Sequence, residues 1–204
     1  MEINSYSTWL EIDLNAITEN VAYIKRLTGV EVMAVIKANG YGHGARPAAQ
    51  AAVQGGATWC GVARIEEALA LRRAGISAEL MVLGYTPPSK IPEAIDQQIV
   101  VSLFDPSQAE TCLSYARING GRLRAHVKVE TGMGRLGMLP EEVVPFLRAL
   151  QGSAIQVEGI FTHFARADEP ESGYTQRQIE IFNQLLAELE QEGLKPPMVH
   201  AANS

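Results

Sequence analysis

Short apolar, β-branched runs recur along the chain, separated by longer stretches in which apolar residues return every three or four positions. The runs are Val32–Ile36, Trp59–Ala63, Leu80–Leu83, Ile99–Leu103, Leu123–Val129, Val157–Phe161 and Met198–Ala201. Such runs predict strands buried on both faces, as in a parallel sheet. Between them, Ile17, Val21, Ile24 and Leu27 share one face behind Asp13, a residue suited to capping a first turn. Ala48, Ala51, Ala52 and Val53 predict a small-residue helix ending at Gly55-Gly56, where glycine supplies a left-handed cap. Ile65–Ala74 ends at Gly75 in the same way, and Pro106 and Pro140 mark two further helix starts. The longest helix is expected over Tyr174–Glu192, with Ile179, Phe182, Leu185, Leu186 and Leu189 on one stripe.

Strand and helix therefore alternate, which predicts an α/β fold. Two architectures satisfy the alternation: a doubly wound sheet and a (β/α)8 TIM-type barrel. The pattern supplies seven strands. A barrel would be incomplete, with about seven of its eight strands present.

Composition narrows the function classes. The 204 residues, 47% hydrophobic and 20% charged, suit one sizeable core rather than two full domains. With 17 Lys and Arg against 23 Asp and Glu, the net charge of -6 argues against a general nucleic-acid or polybasic membrane binder. No apolar run approaches a membrane span, and Met1–Ser5 lacks a signal-peptide start. Cys60 and Cys112 stand far apart in apolar surroundings without CxxC spacing, so buried thiols in a reducing cytoplasm are expected rather than a disulfide or metal site.

The chemistry collects at strand ends. Lys37 closes the first core strand and a glycine-rich turn, Gly40-Tyr41-Gly42-His43-Gly44-Ala45, follows before a helix. A partly desolvated lysine there is suited to forming a Schiff base with a carbonyl substrate or with pyridoxal phosphate. The same glycines match the dinucleotide pattern G-x-G-x-x-A, but the second strand ends Val62-Ala63-Arg64, without the acidic residue that a ribose requires. After the fifth strand, Lys128 and Arg135 place two cations around one turn with Gly132, Gly134 and Gly137, and Arg135 offers a planar fork to an oxyanion. His163 ends the sixth strand, and Asn203-Ser204 follows the seventh, where a serine suits a phosphate.

The segment Lys37-Ala38-Asn39-Gly40-Tyr41-Gly42-His43-Gly44 resembles the cofactor-lysine segment of the bacterial alanine racemases, which are pyridoxal-phosphate enzymes. Lys128-Val129-Glu130-Thr131-Gly132-Met133-Gly134-Arg135, Phe161-Thr162-His163 and His200-Ala201-Ala202-Asn203-Ser204 match further family segments in family order. The resemblance implies an N-terminal (β/α)8 barrel, incomplete here, with the C-terminal β-domain absent. Residues 1–12 would be the strand that in the family packs with that second domain, and 13–204 the truncated cofactor-binding barrel.

It further implies that Lys37 carries pyridoxal 5'-phosphate and acts as one catalytic base. Tyr41, Asn203 and Ser204 would join the cofactor site around the phosphate, and His163 would lie beside the pyridine ring. Arg135 would touch the phenolic oxygen and the substrate, and Lys128 matches a lysine often carbamylated. Glu130 stands where the family commonly has Asp. The implied activity interconverts L- and D-alanine for peptidoglycan in the cytoplasm, in a homodimer. A tyrosine of the second domain would be the opposite-face base, so the 204 residues alone are expected to racemise poorly or not at all. Two alternatives share these residues: a single-domain pyridoxal-phosphate-binding homeostasis protein, and a racemase for another amino acid.

Overall fold

A computed structural model describes residues 7–203. Seven strands, β1 (Met33–Val35), β2 (Trp59–Val62), β3 (Glu79–Val82), β4 (Ile99–Leu103), β5 (Leu123–Lys128), β6 (Ile155–His163) and β7 (Met198–Ala202), form one sheet in sequence order. The β1–β2 pair and the pairs from β4 to β7 are parallel. Parallel neighbours demand crossovers, and helices supply them: α1 (Leu14–Thr28) precedes β1, and α2 (Lys37–Tyr41) and α3 (Ala45–Gln54) follow it. Next come α4 (Ile65–Arg73), α5 (Ile91–Asp96), α6 (Pro106–Ile118), α7 (Pro140–Leu150) and α8 (Tyr174–Gln191). This is the connectivity of a (β/α) barrel through its first seven strands; a doubly wound sheet would reverse its strand order part-way. Among the described residues, no helix is long and apolar enough to cross a membrane. Residues 8–13 carry no helix or strand, and the rest of the expected opening strand, residues 1–6, lies outside the described residues.

The chain divides into two compact units. The first runs through Val62 and resumes over Glu66–Leu80. Here Asp13 caps α1, its Oδ1 accepting from the N–H groups of Asn15 and Ala16 at 2.9 and 3.2 Å. Thr18 Oγ1 donates to the Ala51 carbonyl at 3.0 Å, fastening α1 to α3. The two helices approach so closely that a Cβ on Gly55 would sit 2.4 Å from the Thr18 carbonyl oxygen. Glycine at 55 thus serves close packing, with φ at -73°, and the left-handed residue is Gly56. Ala48, Ala49, Ala51 and Ala52 are buried, as the small-residue pattern predicted.

The second unit holds Ala63–Ile65 and everything from Met81 onward. Its core includes the buried apolar strand residues Val100, Val101, Leu103, Leu123, Val127 and Ile160, together with buried Leu147 of α7 and Phe182, Leu185 and Leu189 of α8. A bulge interrupts β5–β6: Ala125 faces Val157 but His126 faces Gly159, so Glu158 is the extra residue. Its carboxylate takes both oxygens to Arg124 Nε, at 2.9 and 3.0 Å.

Candidate active site

In the first unit, β1 ends at Val35, and Lys37 opens the turn that follows. Ala38, Asn39, Gly40 and Tyr41 all take left-handed backbone conformations, with φ of 52, 55, 63 and 54°. A non-glycine residue there costs about 1–2 kcal/mol. The turn persists because its polar groups are spoken for. Gly40 N–H donates to Ile36 O at 2.9 Å, Gly44 N–H to Asn39 O at 2.9 Å, and His43 N–H to Gly40 O at 3.0 Å. The Asn39 side chain accepts from Ala45 N–H at 2.8 Å, so it also starts α3. From α4, Glu67 Oε1 accepts the Ala38 N–H at 2.7 Å. Lys37 is half-buried, and its Nζ lies 5.7 Å from the centre of the exposed Tyr41 ring. Two of the sequence-derived site residues are thus brought together on one strained, hydrogen-bonded turn. The acidic residue beside the glycines is engaged with the turn's own backbone, a different job from holding a ribose.

In the second unit, β5 delivers Lys128, which is 5% exposed, with Nζ 5.6 Å from the centre of the Phe161 ring. Residues 130–137 then form a loop closed at its base by Glu130 N–H to Met138 O and Met138 N–H to Lys128 O, both 2.9 Å. The loop wraps around the Glu130 carboxylate, which accepts from Gly132 at 2.5 Å, Gly134 at 2.9 Å and Arg135 at 3.3 Å. Burial alone would raise this carboxyl. The N–H groups of Gly134, Gly132, Arg135 and Met133 outweigh it and hold the group below its ordinary value. A Cβ on Gly137, at φ 149°, would come within 2.5 Å of the Glu130 nitrogen. The loop's glycines therefore let the backbone close on its own carboxylate. Arg135 is exposed and lines a cleft of about 480 Å³ with Tyr85, Phe104, Asp105 and Gln108.

His163 is the last residue of β6 and half-buried. Asn203 Nδ2 donates to the Phe164 carbonyl at 3.2 Å, which ties the end of β7 to the segment after His163. Ser204 lies outside the described residues. The cysteines are both fully buried, and burial pushes each thiol up to about 11.

Sequence reasoning missed a histidine pair. His126 Nδ1 and His200 Nε2 are 2.9 Å apart, and the His200 ring stacks on Phe161 with centroids 4.7 Å apart. Burial, with Arg124 nearby, pulls His126 down to about 4; burial and His126 pull His200 down to about 3. Both rings are neutral at pH 7, so one proton lies in the contact and fixes a tautomer on each side. The signal was readable in β5, where Arg124, His126 and Lys128 alternate on one face of an otherwise apolar strand.

Comparison with known proteins places this geometry. The family model for the alanine racemase N-terminal domain matches residues 12–204. The alanine racemase of Symbiobacterium thermophilum is 47% identical over 97% of this chain and 53% of its own length. That of Desulforamulus reducens is 43% identical over 96% and 54%. The chain spans about half the length of the curated relatives it matches. Among solved structures, the alanine racemase of Bacillus anthracis with bound L-Ala-P superposes with a TM-score of 0.89 and 40% identity, over 97% of this chain and 52% of that one. The histidine racemase of Leuconostoc mesenteroides subsp. sake gives 0.86 at 30% identity, over 93% of this chain and 51% of that one. The seven parallel-ordered strands are those of an incomplete TIM-type barrel, and the chain belongs to the alanine racemase N-terminal domain family.

Proposed function

We propose that this chain is the cofactor-binding half of a pyridoxal-phosphate-dependent racemase that interconverts L- and D-alanine. The observation that carries the reading is Lys37 at the start of its left-handed, hydrogen-bonded turn, within a family match over residues 12–204. The donor set fits the cofactor: an amine (Lys37), a phenol (Tyr41), a guanidinium (Arg135), an imidazole (His163) and an amide (Asn203) suit a phosphorylated aromatic aldehyde. Arg135 makes no side-chain ion pair among the described residues, which leaves its fork available to an oxyanion.

Lys37 would hold the cofactor through its amine. By resemblance, Tyr41 and Ser204 would address the phosphate, and Asn203 would be a further cofactor contact. Arg135 would take the phenolic oxygen and the substrate carboxylate, and His163 would flank the ring. When bound, pyridoxal phosphate supplies an electron sink for the charge left at the substrate α-carbon. Lys37 Nζ would take or return the α-proton on the D-alanine side. Carbamylation of Lys128, which the resemblance implies, would make it an anion towards Arg135. Return of the proton on the other face needs a second base, which the resemblance assigns to the second domain across a homodimer. D-Alanine for peptidoglycan, made in the cytoplasm, is the role this activity would serve.

A second reading, racemisation of another amino acid, is favoured by one observation. A histidine racemase shares this fold with a TM-score of 0.86. The fold alone therefore leaves the substrate open.

Reduction with borohydride after addition of pyridoxal phosphate, followed by peptide mass spectrometry, tests the cofactor assignment. Label on Lys37 alone is expected; scattered label or none overturns it. Polarimetry with L-alanine and L-histidine then separates the two substrate readings.

A further inference from the structure

The amide of Gln178 is 1% exposed, in the second turn of α8, and every hydrogen it carries is used. Nε2 donates to Thr131 Oγ1 at 3.1 Å and to the His163 carbonyl at 3.2 Å, while Oε1 accepts the Ala165 N–H at 2.9 Å. The two backbone groups are of opposite type and two residues apart, so only a side chain with a donor and an acceptor on separate atoms satisfies both. From Thr131 the chain of bonds continues. Thr162 spends its proton on Val129 O at 3.1 Å, so Thr131 donates to Thr162 Oγ1 at 2.7 Å and accepts from Gln178. The order Gln178, Thr131, Thr162, Val129 is a one-way relay running from α8 back to the exit of β5. One turn earlier on the same helix face, Tyr174 Oη donates to Gly132 O at 2.6 Å.

We propose that Gln178 is a positioning residue that clamps two strand-end segments, 131–137 carrying Arg135 and 163–166 carrying His163, into one rigid piece on the start of α8. The proposal rests on the reading of Arg135 and His163 as cofactor contacts. A buried amide with all hydrogens used is costly to leave without a partner, so each of its two arms holds its own segment. Its function is to prevent the guanidinium and the imidazole from moving independently, which fixes the spacing that a bound ring would meet.

Hydrogen exchange on the 204-residue chain, read by mass spectrometry, tests the clamp without any cofactor. Gln178→Leu keeps the volume and removes all three bonds. Exchange is expected to rise about tenfold or more in both 131–137 and 163–166, with 38–44 unchanged. Thr131→Val cuts the relay alone and should raise exchange only in 131–137; this one-sided effect decides the matter even where Gln178→Leu fails to fold. The affinity for pyridoxal phosphate, read by absorbance titration, should fall about tenfold in Gln178→Leu while borohydride still marks Lys37. Equal acceleration everywhere, including 38–44, overturns the clamp in favour of general destabilisation. So does exchange in Gln178→Leu within twofold of the parent at either segment, and unchanged cofactor affinity overturns its positioning role. A parent chain that takes no pyridoxal phosphate would defeat the cofactor reading, while the exchange pattern would still decide whether Gln178 clamps.

Discussion

The turn after β1 and the loop after β5 both follow a strand end and both carry a cation assigned to the same cofactor, yet they are held by opposite means. The Lys37 turn takes its shape from its own backbone, with positive φ at Ala38, Asn39, Gly40, Tyr41, Gly42 and Gly44 and mostly local bonds. The Arg135 loop is built around one carboxylate and fastened by Tyr174 and Gln178, which stand 42 and 47 residues from their partners. A turn held mostly by local bonds, with Glu67 of α4 as a long-range partner, depends less on distant helices. A borrowed scaffold fails when the lender is changed. The group assigned to proton transfer thus sits on the local device, and the groups assigned to charge and orientation on the non-local one.

The largest test of this contrast is Lys37→Ala. Cofactor attachment is expected to vanish, with no borohydride label anywhere, while hydrogen exchange in 131–137 stays at the parent level; a new labelled lysine would show that the turn does not select the amine.

Acid should separate the units next. His126 and His200 have depressed values in the folded chain, so protons bind the unfolded chain first, from about pH 6.5 downward. Stability is then complete above that pH and is lost as it falls towards 4, on the order of 3 kcal/mol from His126, with His200 acting in the same direction. Glu130, held below its ordinary value, adds a loss of the same sign at lower pH. Urea midpoints between pH 7 and pH 4, followed by segment-resolved exchange, should show the second unit loosening before the first. Simultaneous loss in both would erase the distinction.

Two substitutions of about 2 kcal/mol each sharpen it further. Asn39→Val puts a β-branched residue at φ 55° and removes the acceptor of Ala45 N–H. It should speed exchange in 38–45 only. Glu130→Ala releases the loop's N–H groups and should speed exchange in 131–136 only. The smallest expected effect is Tyr174→Phe, which deletes one partly exposed bond to Gly132 O, about 1 kcal/mol by denaturant titration.

Much of this molecule is legible in its pattern of apolar runs. All seven strands fall where those runs lie, although β1 and β7 are only partly buried and β5 carries three polar residues on alternate positions. Lys37 and His163 stand out because a charged or titratable residue closes an apolar stretch, and Arg135 because it lies among the glycines that follow one. The left-handed path of Ala38, Asn39 and Tyr41 is invisible, since nothing in an alanine or a tyrosine advertises positive φ; local backbone bonds, the Asn39 side chain and Glu67 together hold it. Gln178 was hidden differently. It lies four residues before Phe182 on the buried stripe, and a glutamine in a helix reads as surface until its partners are known. Whether Asn203 and Ser204 touch a phosphate is set by chemistry that spacing does not encode.

Gly159 has a meaning beyond the bulge beside it. A Cβ there would come within 2.6 Å of the His126 ring. The imidazole occupies the volume that a side chain on the neighbouring strand gave up. Positions 126 and 159 are then a single inherited unit. A lineage that replaces the histidine with something small frees position 159 to vary, and one that gains a side chain at 159 must first have lost the ring. In an alignment of relatives the two columns should change together, and the histidine should be the first to go.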